Sequence, residues 1–159
     1  MLKLYVERMI RERGTIMGLV KAENVVDGQY SEQVKVCGSV EREADCLPAG
    51  KYRVCIGKCI YHHRKMPFLV PVDSSQCELC CKARHSHEFG DISAFASLPC
   101  AMIQPGNGPF TMGRGSILVG EVHAPGYVLK SHPLFTTLYE RIKKAVWRGN
   151  EVTLVIKEV

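Results

Sequence analysis

The chain has 159 residues, 46% hydrophobic and 23% charged, a balance that fits one domain with a real core and excludes a disordered chain. Its 21 Lys and Arg against 16 Asp and Glu give a net charge of +5, and these cations are spread along the sequence, so no dedicated nucleic-acid surface is indicated. No run of about 18 uncharged apolar residues offers a membrane span, and the charged start MLKLYVERMIRERG lacks the apolar stretch of a signal peptide.

In chain order, LKLYVERM sets Leu2, Leu4 and Val6 against Lys3, Tyr5 and Glu7, the period of a half-buried strand. Gly14 then makes a turn. TIMGLVKA and YSEQVKVCGSVE predict two further strands, separated by the polar stretch around Asp27-Gly28, so the opening reads as an antiparallel meander. DCLPAG, Asp45 to Gly50, is a turn in which Pro48 sets φ and Gly50 can take a positive one. KYRVCIG follows as a strand with Tyr52, Val54 and Ile56 on one face and Arg53, Cys55 and Gly57 on the other.

From Lys58 to Cys100 the pattern is lost, and this stretch is expected to be an irregular insertion within the single domain 1–159. A short apolar run, Ile117 to Val119, predicts another strand. Pro133 opens a helix whose Leu134, Leu138, Ile142 and Ala145 form one stripe, and Gly149 is its expected stop. EVTLVIKEV alternates as a final strand. The fold expected is α+β, mainly β, with one C-terminal helix followed by a last strand.

Eight cysteines are many for such a domain, and without a signal sequence reduced thiols are the expectation. Cys37, Cys46, Cys55 and Cys100 lie in or beside apolar segments and read as small buried hydrophobes. The polar cluster Cys77-x2-Cys80-Cys81-x3-His85-x-His87 is different. A C-x2-C turn can point two thiolates at one tetrahedral zinc ion, and a nearby imidazole can supply a third ligand. Cys77, Cys80, His85 and His87 are the first candidates, with Cys81, Cys59 and His62 as alternates. Such a zinc would also hold the irregular segment in order. The competing reading is a solvated polar loop with incidental Cys and His.

Arg8, Thr15, Gly18-Leu19, Cys37, Val40-Glu41, Cys46-Leu47-Pro48-Ala49-Gly50, Tyr52, Pro67, Val70-Pro71, Gly106-Asn107, Ile117-Leu118-Val119-Gly120, Phe135, Leu138 and Val152-Thr153-Leu154 follow one another across nearly the whole chain. Their order and spacing resemble a family of small proteins found in phages, prophages and Bacteroidetes. CLPAGKYRV and the pair PGN then GSILVG are the most specific pieces. The resemblance implies a compact β-rich fold like that of L,D-transpeptidase catalytic domains, which act on peptidoglycan stem peptides through a cysteine acyl-enzyme. It also implies a place in the host bacterial cytoplasm or in a virion.

In that family the site reads Ile-His-x-Gly-Asn, then a loop, then Gly-Cys-Ile-Leu-Val-Gly, bringing an imidazole to a thiol. Here Gln104 stands at the His position, and Ser116, after Gly115, stands at the Cys position. Gln cannot act as a general base, and a serine hydroxyl without one is a poor nucleophile. His123 or His132 would have to fold back to restore a base, and Cys100 would be a displaced thiol. The bland reading of Ser116 is a small residue needed for close backbone approach beside Gly115. Asn107 and Arg114, which flank the site, are candidate binding residues.

Three classes of function are therefore open: a catalytically silent relative serving as a structural or binding module in a phage or prophage-derived assembly, an active cell-wall enzyme using Ser116 or a displaced Cys, and a zinc-stabilised interaction module. The two substitutions favour the first. Its expected partners are assembly proteins, with a peptidoglycan fragment as an added candidate.

Overall fold

In a computed structural model that describes residues 1–26, 29–30, 32–59, 64–72, 101–108, 115–124 and 126–159, the chain is α+β and mainly β: a sheet curled into a half-barrel, one C-terminal helix and a final strand. β1 (Leu2–Glu12) buries Leu2, Leu4 and Val6 and leaves Lys3, Tyr5 and Glu7 partly exposed, as its alternation requires. Glu12 pairs with Thr15 across Arg13 and Gly14, whose φ angles of 53° and 75° are both left-handed. That two-residue loop matches the twist of the strands it joins. It leads into β2 (Thr15–Val26), which carries the short β3 (Gln29–Tyr30) at its end and pairs antiparallel with β4 (Val34–Arg42). The opening meander is thus present.

A 3-10 turn at Glu43–Asp45 and the CLPAG bend follow, and then β5 (Gly50–Cys59) and β6 (Arg64–Pro71) form an antiparallel pair from Tyr52↔Pro71 to Cys59↔Arg64. The expected irregular stretch from Lys58 needs correction here, because Lys58-Cys59 and Arg64–Pro71 are regular sheet. Two features hid β6. Met66, Phe68, Leu69 and Val70 are all buried, so there is no alternation to read, and Pro67 and Pro71 argue against a strand unless it lies at the end of the sheet, as this one does. The remainder of that stretch, from residue 73 to Cys100, lies outside the described residues.

β7 (Ile103–Gln104) runs parallel to β8 (Ile117–Ala124), which also pairs with β4 and with β9 (Tyr127–Leu129). After α1 (Ser131–Trp147), β10 (Val152–Glu158) inserts between β1, to which it is parallel, and β5, to which it is antiparallel. The order across the sheet is β6-β5-β10-β1-β2-β4-β8-β7, with β3 and β9 off this path. Curling brings the two ends together: Phe68 of β6 bridges to Met102, and the Leu69 N–H donates to the Ala101 carbonyl at 3.0 Å.

α1 fills the inside of the curl. Phe135, Leu138, Tyr139 and Ile142 join the same buried cluster as Leu4, Leu154 and Ile117, with Leu134 and Ala145 at its margin. The helix starts at Ser131, so Pro133 occupies the first turn, where its missing N–H leaves no bond unmade. Gly149 ends it as expected: with φ 77° it donates to the Val146 carbonyl while Asn150 donates to that of Ala145, the paired bonds of a Schellman cap. No helix among the described residues is long and apolar enough to cross a membrane.

One end of the inner surface is polar. Arg8 continues the inward row Leu2, Leu4, Val6, and its guanidinium meets Glu41 of β4 through two bonds of 2.9 and 2.7 Å, the Leu47 carbonyl at 2.6 Å and Glu158 of β10 at 3.1 Å. The Arg8 and Glu41 side chains are only 3% and 1% exposed. Gly18 lies opposite Arg8 on the intervening β2 and leaves its surface bare; a Cβ there would sit 2.3 Å from the Glu7 carbonyl oxygen and 3.0 Å from Ser39 Oγ. Burial by itself would lower the Arg8 pKa, but the bonds to Glu41 and Glu158 outweigh it and the net shift is upward. Tyr52 braces the same bend by donating its hydroxyl to the Pro48 carbonyl at 2.6 Å.

Glu41→Ala would leave a buried guanidinium without its bidentate partner, and we expect a loss of about 3–5 kcal/mol in urea unfolding. Glu158 gives a second, pH-dependent expectation. Hydrogen bonds from Arg11 and then Arg8 hold its carboxyl below the ordinary 4.5. A lowered folded-state pKa means its contribution is complete above 4.5 and disappears as the pH falls through the folded value. Glu158→Gln should therefore flatten part of the acid limb of a stability–pH curve and lower stability only slightly near neutrality, since the carboxyl is half exposed.

Candidate functional site

The residues matching the family's catalytic pair come together at the β7–β8 junction. Gly115, with φ 75°, turns the chain into β8, and Ser116 follows at its root. The parallel register pairs Ile103 with Ile117 and Gln104 with Leu118. Gln104 and Ser116 thus share one face of this pair as diagonal neighbours, since Leu118 lies two residues beyond Ser116. Both are buried, each 1% exposed.

Ser116 has a structural task there. Its Oγ accepts the Met102 N–H at 3.2 Å, while the Ile117 N–H donates to the Met102 carbonyl at 2.9 Å. Both main-chain groups of Met102 are therefore held by the root of β8, and Met102 is the residue that bridges to Phe68 across the closure. The hydroxyl acts as an acceptor at the point where the β7–β8 ladder begins.

The neighbouring PGN loop is tied down by a residue that sequence reading missed. Ser131, the first residue of α1 and 4% exposed, accepts the Gly106 N–H at 3.0 Å and donates its hydroxyl to the Val119 carbonyl at 2.6 Å. The Asn107 carbonyl accepts from Val128 at 3.4 Å, and the Asn107 residue is exposed, as a binding role would need. Gly120 makes this crossing feasible, because a Cβ there would come within 2.9 Å of Val128 Cβ and 3.0 Å of the Leu129 oxygen. A Ser before a Pro-containing helix start was the available signal; it reads as a capping residue, whereas Lys130 occupies the N-cap position. His132 is exposed on the first turn of α1, and His123 lies within β8. Arg114 lies outside the described residues.

Two of the described thiols, Cys37 and Cys46, are held in the neutral form by burial. It pushes Cys37 up to about 11 and raises Cys46 as well. Cys55 is disulfide-bonded, and the thiols of Cys37 and Cys46 are free. The expectation of reduced thiols throughout is corrected at that position. Of the zinc candidates only Cys59 is described. It sits at the end of β5, fully buried in the apolar cluster. Cys77, Cys80, Cys81, His85, His87 and His62 lie outside the described residues, as does Cys100. Among the described residues no three His, Cys, Asp or Glu side chains gather as a metal site.

Comparison with family models, curated proteins and solved structures finds no match, so the likeness to L,D-transpeptidases stands on the quoted residues alone.

Ser116→Ala should leave the Met102 N–H without its side-chain acceptor in a dry site, which costs about 1–3 kcal/mol in chemical denaturation. Ser116→Thr keeps the hydroxyl but adds a methyl group to a filled space, and should be destabilising by about 1–3 kcal/mol through overpacking.

Proposed function

We propose that this chain is a catalytically silent, L,D-transpeptidase-like module that serves a structural or binding role in a phage or prophage-derived assembly. The observation that carries this reading is the condition of the two positions matching the family's catalytic pair. Gln104 supplies no base, and Ser116 is buried with its oxygen accepting a backbone N–H. A serine nucleophile needs a base within hydrogen-bond reach and room for an acyl carbon beside its oxygen. By accepting the Met102 N–H, the Ser116 oxygen contributes to the β7–β8 junction, which is a scaffold task.

The half-barrel, closed at one seam and filled by α1, is a rigid frame of the kind on which exposed loops carry recognition. The PGN loop, fixed to Ser131 through Gly106 and presenting Asn107 to solvent, is the described loop best placed for that role. Zinc held by Cys77, Cys80 and His85 or His87 would extend this reading to a metal-ordered interaction loop, and elemental analysis of the native protein addresses it directly.

Incubated with a peptidoglycan stem peptide, the native protein should release or exchange no terminal residue above a protein-free control. Turnover that Ser116→Ala abolishes, while the variant still shows a cooperative unfolding transition, would make the chain a serine-dependent cell-wall enzyme and sink the proposal.

A further inference from the structure

Two stretches far apart in the sequence meet at one side of the molecule, and both are cationic. Lys58 and Lys65 are directly opposite one another in the β5–β6 register and both are exposed, an arrangement of like charges that costs stability in a strand pair. Arg64, also exposed, lays its guanidinium over the rings of Tyr139 and Phe135, 5.1 and 5.7 Å from their centroids, and so joins the end of this hairpin to α1. The following two turns of the helix carry Arg141, Lys143 and Lys144, and Arg148 caps it. Among the described residues 58–59, 64–65 and 140–148 there are seven cations and one acid, Glu140, which reaches only Lys143 at 3.7 Å.

Trp147 stands among these cations. It is the sole tryptophan of the chain and is 90% exposed. Cations at the C-terminal end of a helix offset its dipole, which accounts for one or two of them. It accounts neither for the paired lysines on the hairpin nor for a bare indole.

We propose that this surface binds single-stranded nucleic acid, with Arg64, Lys143, Lys144 and Arg148 meeting phosphates and Trp147 stacking on a base. An aromatic platform beside a cationic track is the arrangement that such strands use. A lipid surface fits less well, since the apolar face that α1 would lay into a membrane is already spent on the core through Phe135, Leu138 and Ile142. This surface is separate from Ser116, so the turnover assay and the test below fail independently.

The test is titration of the full chain with a single-stranded oligothymidylate, followed by the fluorescence of Trp147 and by the anisotropy of a labelled strand. The expected result is quenching together with binding that weakens roughly fifty-fold from 50 to 200 mM salt, the slope for about four neutralised phosphates on a single strand. Lys143→Gln/Lys144→Gln should reduce that slope, and Trp147→Ala should weaken the anisotropy signal about tenfold, in line with the loss of one stacked base, with unfolding transitions unchanged in both. Absence of quenching, equal binding by the Gln variant, equal competition by polyglutamate, or a blue shift produced only by anionic vesicles would each overturn the proposal.

Discussion

The half-barrel is organised around a buried ion pair. Arg8 and Glu41 stand on strands separated by β2, and the residue opposite Arg8 on β2 is Gly18, which has no side chain to place between them. The same guanidinium holds the Leu47 carbonyl in the CLPAG bend and Glu158 at the end of the last strand. Four separate parts of the chain are therefore fixed by one cation. An Arg is suited to this because its planar fork can satisfy a carboxylate through two bonds and still present donors to others. Such a pair adds little net stability over a well-packed apolar set, but breaking it leaves an uncompensated charge, so it specifies how these segments meet.

A second constraint lies at the opposite edge of the sheet. A curled sheet of this length would expose two unpaired edges unless they met. Met102 performs the junction: it bridges to Phe68 on one side and is bound through both backbone groups by Ser116 and Ile117 on the other. The position at which the family resemblance places a nucleophile is, in this chain, part of the seam. A hydroxyl suits that place, since an oxygen is a better acceptor for a buried amide than a thiol.

Several landmarks of the resemblance have structural tasks in this frame. Arg8, Gly18, Glu41, Leu47 and Pro48 with Tyr52 form the polar end of the interior, and Gly120 permits the crossing of β8 by the start of α1. They describe how the frame is built. Phe135, a further landmark, lies under the Arg64 guanidinium where the β5–β6 pair meets α1.

Much of the frame was legible from the sequence because its signals are local. Alternation in β1, β5 and β10, the apolar stripe of α1 and the glycine at its end depend on residues within a few positions of one another, and each appears where it was expected. Together these local patterns are enough to indicate the mainly-β class with one helix. What only the tertiary structure decided depends on distant partners. β6 has no alternation and two prolines, and becomes a strand because it is buried on both faces at the end of a sheet. The insertion of β10 between β1 and β5, the burial of Arg8 and the engagement of Ser116 and Ser131 all join residues separated by more than ten positions, and in the case of Arg8 and Glu158 by 150. No local pattern encodes such pairings. They follow from which surfaces the closing sheet leaves for a side chain to meet.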